Sequence, residues 1–241
     1  MKTITQLTVL KLSLVLPAVL LLQATAAEPK PEALTVPQIL ERMAKTYGTA
    51  QTYRDTGVVK TVFVETEGRR TVERSFTTAF VRPDRIRFDY VDKLVSGNER
   101  HYIVWAQAGN IQTWWDVTPG IRKPKTLGKA LAGAGNVSGG AAQTVPALLL
   151  PNEVSGLSLT DLLEPKRLED AKVGPADCFR IQGKSGKSPT TLWIDQASFL
   201  LRRIDTEEKF EKFRTETTTT YEAEINKEVP DALLHFNPSR I

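Results

Sequence analysis

Apolar positions recur along this chain with two different periods. Over residues 35–48, Val36, Ile39, Leu40, Met43, Ala44 and Tyr47 fall on one face at helical spacing, with Glu41, Arg42 and Lys45 on the other. Thr35 is a good N-cap, Gln38 completes a capping box, and Pro37 lies in the first turn, where its missing N–H costs nothing. Gly48 is the expected stop. Beyond it the period becomes two. In TAFVRPDRIRFDYV, Arg85, Arg87 and Asp89 alternate with Ile86, Phe88 and Tyr90, the pattern of a strand with one wet and one apolar face. Alternate side chains point oppositely, so the three apolar residues are expected on the inner face and the three charged ones toward solvent.

Similar segments at 53–65, 71–81, 85–91, 100–107 and 111–117 are separated by short polar turns. After an interruption, further strands are expected at 167–173, 178–184, 190–195, 200–207 and 214–225, with His235 in a tail strand LLHFNP. These make about ten strands whose connections are too short for crossover helices, so the sheet is antiparallel. In 100–107, Tyr102 and Val104 alternate with Ile103 and Trp105, which places large apolar groups on both faces. One amphipathic helix of this size needs such a sheet to lie on.

Residues 126–165 differ in character. LGKALAGAGNVSGGAAQ is rich in small residues and reads as a flexible segment, its glycines letting the neighbouring chain move. VPALLLPNEVSGLSLTDLLEP is apolar but broken by prolines, and Ser158 is placed to cap a short helix through Leu163. Leu148, Leu149 and Leu150 are too apolar to leave exposed, at roughly 1.5–3 kcal/mol per buried side chain, so this segment is expected to lie on the sheet.

The first residues change where the protein is expected to work. Lys2, Lys11, the run LSLVLPAVLLL and Ala24-Thr25-Ala26 form a secretory signal over residues 1–26, followed by a polar linker over 27–34. The apolar run is shorter than the about 20 residues of a membrane span, so cleavage and export are expected. That segment carries two lysines and no acids, so its loss lowers the formal charge of +4 by two. The densest basic cluster, Arg122-Lys123-Pro124-Lys125, reads as a solvated loop; a nucleic-acid partner would require a longer stripe. The single cysteine, Cys178, forms no internal disulfide, so the domain must be held by its core.

A search for chemistry finds little. GKSGKS at 183–188 has Ile181 where a phosphate loop needs glycine. GAGNVSGG lacks dinucleotide-loop spacing. His101 and His235 have no partners at metal-ligand spacing, and Cys178 beside Asp177 reads as a small buried hydrophobe. Asp116, Asp195 and Glu169 show no sign of pairing for acid–base work. No catalytic residue, metal site or cofactor is expected.

Several segments, in order, resemble the periplasmic lipoprotein-sorting superfamily of LolA-like half-barrels. They are the helix ILERMAKTYGTAQTY, the FVRPDRIRFDY element, the hairpin GNIQTWWDVTP, the strand pair LWIDQASFLLRRIDTEE and the terminal LLHFNPS. The resemblance implies an α+β fold over residues 35–241. A curved antiparallel half-barrel sheet would carry an N-terminal helix and a lid of short helices (126–165) on its concave side. It further implies that the compartment is the periplasm and the protein a soluble, monomeric carrier of lipid or lipoprotein acyl chains, with an envelope protein partner as the alternative role. By the same likeness Arg82 would contact the lid, and Ile86, Phe88, Tyr90, Ile103, Trp105, Leu148 and Leu149 would line the acyl-chain hollow.

Overall fold

The structure, a computed structural model, describes residues 34–236 apart from Val95 and Leu157. The expected signal peptide and nearly all of the linker lie outside the described residues. Helix α1 (Val36–Thr49) starts as its sequence dictates: Gln38 reaches back so that its Oε1 accepts the Thr35 N–H at 2.9 Å. It buries Ile39, Leu40, Met43 and Tyr47, and runs one residue past Gly48.

Among the described residues, eleven strands form one antiparallel sheet, where the sequence pattern counts about ten. They are β1 (Thr52–Glu65), β2 (Gly68–Val81), β3 (Arg85–Lys93), β4 (Glu99–Gln107), β5 (Asn110–Trp115), β6 (Thr118–Arg122), β7 (Leu163–Val173), β8 (Ala176–Ser185), β9 (Ser188–Asp195), β10 (Leu201–Lys209) and β11 (Phe213–Ile225). The additional strand is β6, whose TPGIR sequence carries little apolar alternation and pairs with β5 through a shifted register.

The order β6-β5-β4-β3-β2-β1-β11-β10-β9-β8-β7 consists of two meanders joined where β1 pairs with β11. This arrangement has a consequence for the chain between the meanders. β6 and β7 are the two opposite edges of the sheet, so the segment joining them must traverse a face. At about 4.8 Å between strands, eleven strands laid flat span roughly 48 Å; curvature and helices shorten the crossing. Helices α2 (Leu127–Val137) and α3 (Ala141–Leu149) make it.

The GAGNVSGG segment is therefore not the flexible loop its composition suggests. Thr126 caps α2 by accepting the Lys129 N–H at 3.2 Å, and the small residues serve close packing instead. A Cβ on Gly135 would lie 2.5 Å from Gln143 Oε1, and one on Gly128 would lie 2.7 Å from the Glu153 carbonyl oxygen. Gly139 and Gly140, both at positive φ, make the turn into α3. The expected helix after Ser158 is absent among the described residues: Ser158 hydrogen-bonds the Asp161 carboxylate in a turn.

The core lies between the helices and one face of the sheet, with Phe76, Phe80, Ile86, Phe88, Leu131, Leu149, Ile181 and Leu192 almost wholly buried. The described part of the tail, through Phe236, is also not a strand. Residues Asp231–Leu234 form helix α4, followed by His235.

Candidate functional site

Helices α1 and α3 both end at one side chain. Arg82 closes β2, its backbone N–H bound to the Gln51 carbonyl at 2.9 Å. Its Nε donates to the Ala50 carbonyl at 3.0 Å, and its Nη2 donates to those of Gly48 at 3.0 Å and Leu149 at 3.1 Å. Gly48 and Ala50 belong to the end of α1, and Leu149 is the last residue of α3. The last carbonyls of a helix have no partner within it and carry the negative end of the helix dipole. A guanidinium with its donors in a fixed fork satisfies several at once.

Ile86, Phe88 and Tyr90 face the helices, at 1%, 0% and 4% exposure. Leu148 and Leu149 of α3 are buried against the same core. Arg85, Arg87 and Asp89 do point to the other face, but that face is not simply solvent. Arg87 donates to the His235 carbonyl, Arg85 pairs with Asp231 at 2.8 Å, and burial raises the Asp89 pKa despite the neighbouring Arg87. Helix α4 thus sits on the convex side.

Ile103 and Trp105 belong to that convex side too, contrary to the expectation that they share the hollow with Ile86. The register pairs Phe88 with Val104 and Asp89 with Ile103, so Val104 and Tyr102 take the concave positions. Trp105 donates its indole N–H to the Leu234 carbonyl at 2.7 Å. Trp105 thereby secures α4, and neither residue lines the core beneath α3.

The concave face also carries a polar group that the sequence reading missed. Asp55, in the central strand, is 4% exposed. Its Oδ2 accepts the Tyr53 hydroxyl at 2.6 Å, and its Oδ1 accepts the Thr78 N–H at 2.7 Å. Burial pushes its pKa up to about 6, the hydrogen bonds from Tyr53 and Thr78 only partly opposing the rise. The Tyr47 hydroxyl close by accepts the Leu201 N–H at 3.0 Å. The signal was present in the sequence: Tyr53, Asp55, Gly57 and Val59 share one phase of the alternation, and Asp55 is the charged member of an otherwise uncharged row.

Clefts are unevenly distributed. A hollow of about 770 Å³ lies on the convex face beside α4, lined by Arg54, Thr56, Arg87, Glu222, Glu224 and Leu233. On the helical side, a cleft of about 360 Å³ between α1 and the chain after α3 is lined by Ala44, Gly48, Leu148, Val154 and Leu159. The groups considered for catalysis are dispersed. Asp195 pairs with Arg202 at 2.8 Å, Asp116 accepts the His101 N–H, and Glu169 lies on β7 at the sheet edge. Cys178 is fully buried, and that burial pushes its thiol pKa up.

No family model matches the sequence, and no curated protein matches it. Solved structures do resemble its fold. LprF from Mycobacterium bovis is 13% identical, with a TM-score of 0.48 over 80% of this chain and 94% of that one. A LolA superfamily protein from Nitrosomonas europaea is 9% identical, with a TM-score of 0.34 over 85% and 99% of the two chains. MucB, in its complex with MucA, is 9% identical with a TM-score of 0.36, the match covering 83% of this chain and 59% of MucB.

Proposed function

We propose that this protein is a periplasmic binder or carrier of acyl chains that works without catalysis, its binding face covered in the closed form by α2 and α3. The observation that carries this reading is the clasp at Arg82. A helix bearing Leu148 and Leu149 lies on the concave sheet, and its carboxyl end is tied to α1 by one guanidinium. Such a contact can be broken locally without dismantling the sheet, because α3 contributes no strand to it. Lifting α3 would expose Ile86, Phe88 and Tyr90, an apolar surface that acyl chains would cover at about 25 cal/mol per Å².

Helix α3 is also built to be displaced. Pro146 lies inside it and supplies no N–H to the preceding turn, so its local hydrogen bonding is incomplete. The test is organic extraction and mass spectrometry of protein purified from the periplasm, with acyl lipid in stoichiometric yield as the expected result. A protein-interaction role is supported by a different observation, the large hollow beside α4 with charged side chains such as Arg54 and Glu224 in its lining. Lipid-free protein that co-purifies with an envelope partner, and loses it when Arg54 and Glu224 are replaced, would favour that role.

A further inference from the structure

The floor beneath α3 holds a polar cluster that the closed packing leaves incomplete. The Gly139 turn lies against Val59 of β1, the Val59 Cγ1 being 3.1 Å from where a Gly139 Cβ would stand. The other end of α3 is held by Arg82, whose N–H binds Gln51 just before β1. Between these two points on β1 lie Gly57, Asp55 and Tyr53, with Thr78 opposite Asp55 on β2 and Tyr221 opposite Gly57 on β11. Two hydroxyls of this cluster, Tyr221 Oη and Thr78 Oγ1, close no well-formed hydrogen bond among the described residues, Tyr221 being turned toward Thr144 and Thr78 toward Asp55, although their side chains are 3% and 2% exposed. Buried polar groups are almost always paired, so two orphans beside a buried carboxylate need a reason.

The lid turns one group toward Tyr221: the Thr144 hydroxyl, in the middle of α3, donates its proton to the Gly140 carbonyl of its own helix at 3.0 Å and is left to accept from Tyr221, a contact that goes when α3 is displaced. Asp55 has two well-formed donors with the Thr78 hydroxyl beside it as a third, while an ionised carboxylate has room for about four. The unused capacity is therefore of both kinds, acceptor sites on Asp55 and two hydroxyls that can donate or accept. Its field reaches Tyr221, whose pKa is raised by burial first and by the charge of Asp55 next.

We propose that Asp55, Thr78 and Tyr221 form a subsite for the hydroxyl-bearing polar end of an acyl lipid whose chain lies on the sheet after α3 is displaced. This rests on the acyl-chain reading above and adds the ligand's polar chemistry. A hydroxyl both donates and accepts, so it matches the carboxylate and the orphan hydroxyls together. An anionic headgroup would meet Asp55 at short range in a poorly screened site and be disfavoured.

The test uses the full mature chain at pH 7.5 and three ligands with the same twelve-carbon chain: monolauroylglycerol, methyl laurate and laurate. Binding is read by displacement of the neutral fluorophore N-phenyl-1-naphthylamine. The expected order is monolauroylglycerol tightest, by about tenfold over methyl laurate, with laurate weakest. Tyr221→Phe should lose most of that tenfold preference while its thermal midpoint stays level or rises, because the empty protein loses only a buried hydroxyl without a well-formed hydrogen bond. A hydroxyl with a purely structural role would lower the midpoint and leave the preference intact. Asp55→Asn should strengthen laurate relative to the other two. Equal binding of monolauroylglycerol and methyl laurate by the wild type would overturn the subsite and leave the acyl-chain reading standing. Binding of none of the three would remove both.

Discussion

Arg82 donates to the carbonyl oxygen of Leu149 at 3.1 Å, joining the end of β2 to the end of a helix 67 positions further along the chain. The same guanidinium reaches Gly48 and Ala50, so a single residue fixes where α1 and α3 stop relative to each other and to the sheet. Arg82→Leu should lower stability by about 1.5–3 kcal/mol, the range for hydrogen bonds to a charged donor. Hydrogen exchange should show the loss locally: amides of α3 and of the last turn of α1 exchange faster, while those of β8 and β9 do not change. Uniform acceleration across the domain would mean that Arg82 supports the whole fold and not the lid.

Gly57 lies where β1 passes under an aromatic ring. A Cβ there would stand 2.2 Å from Phe76 Cζ and 2.6 Å from the Thr220 carbonyl oxygen. Phe76 is packed between Phe88 and Tyr221, at centroid distances of 5.9 and 5.6 Å, and has little room to move. Gly57→Ala should therefore destabilise by about 1–3 kcal/mol, as overpacking does. Urea unfolding followed by tryptophan fluorescence would show it as a lowered midpoint with an unchanged slope.

The buried carboxylate makes a pH prediction whose sign is unusual for an aspartate. The Asp55 pKa is about 6 in the folded protein, against 3.8 for an unburied aspartate, so folding takes up a proton between these values. The stability this contributes is fully present below about 3.8 and is lost as pH rises through about 6. Tyr47, Tyr53 and Tyr221 face it with neutral hydroxyls, and Arg202 lies near enough to lower the Tyr47 pKa. Moving from pH 7.5 to pH 5 should raise stability through this group by roughly 1–1.5 kcal/mol. Asp55→Asn should remove that increment. An unchanged slope between the two pH values in the variant would assign the effect to other carboxylates.

On the convex face, Leu234 of α4 is 2% exposed and its carbonyl accepts the Trp105 indole. Leu234→Ala should cost roughly 2 kcal/mol or more. It should leave acyl-ligand affinity unchanged, because the sheet separates it from the concave face. A change in affinity comparable to that of Arg82→Leu would show that the two faces communicate.

What the sequence determined is the set of local periods. The helix at residues 35–48, the capping box at Thr35 and Gln38, the strand at Ile86–Tyr90 and the antiparallel class of the sheet follow from side-chain spacing and short turns, which act within a few residues. The burial of Leu148 and Leu149 also followed from composition, because exposing them would cost too much. What only the tertiary structure decided is which of two apolar faces is inner and what lies on it. Strand β4 offers apolar residues in both phases, so hydrophobicity could not separate Tyr102 and Val104 from Ile103 and Trp105. The register across the β3–β4 turn did, since a shift of one residue moves every side chain to the other face. The path of residues 126–162 was likewise settled by topology. Because β6 and β7 are opposite edges of one sheet, the chain between them had to cross it, and the small residues that looked like a flexible loop are those that let two helices pack closely there. The cluster around Asp55 needed both kinds of information. Its phase in β1 is written in the sequence, but the isolation of its carboxylate from water exists only once β2, β11 and α3 have closed around it.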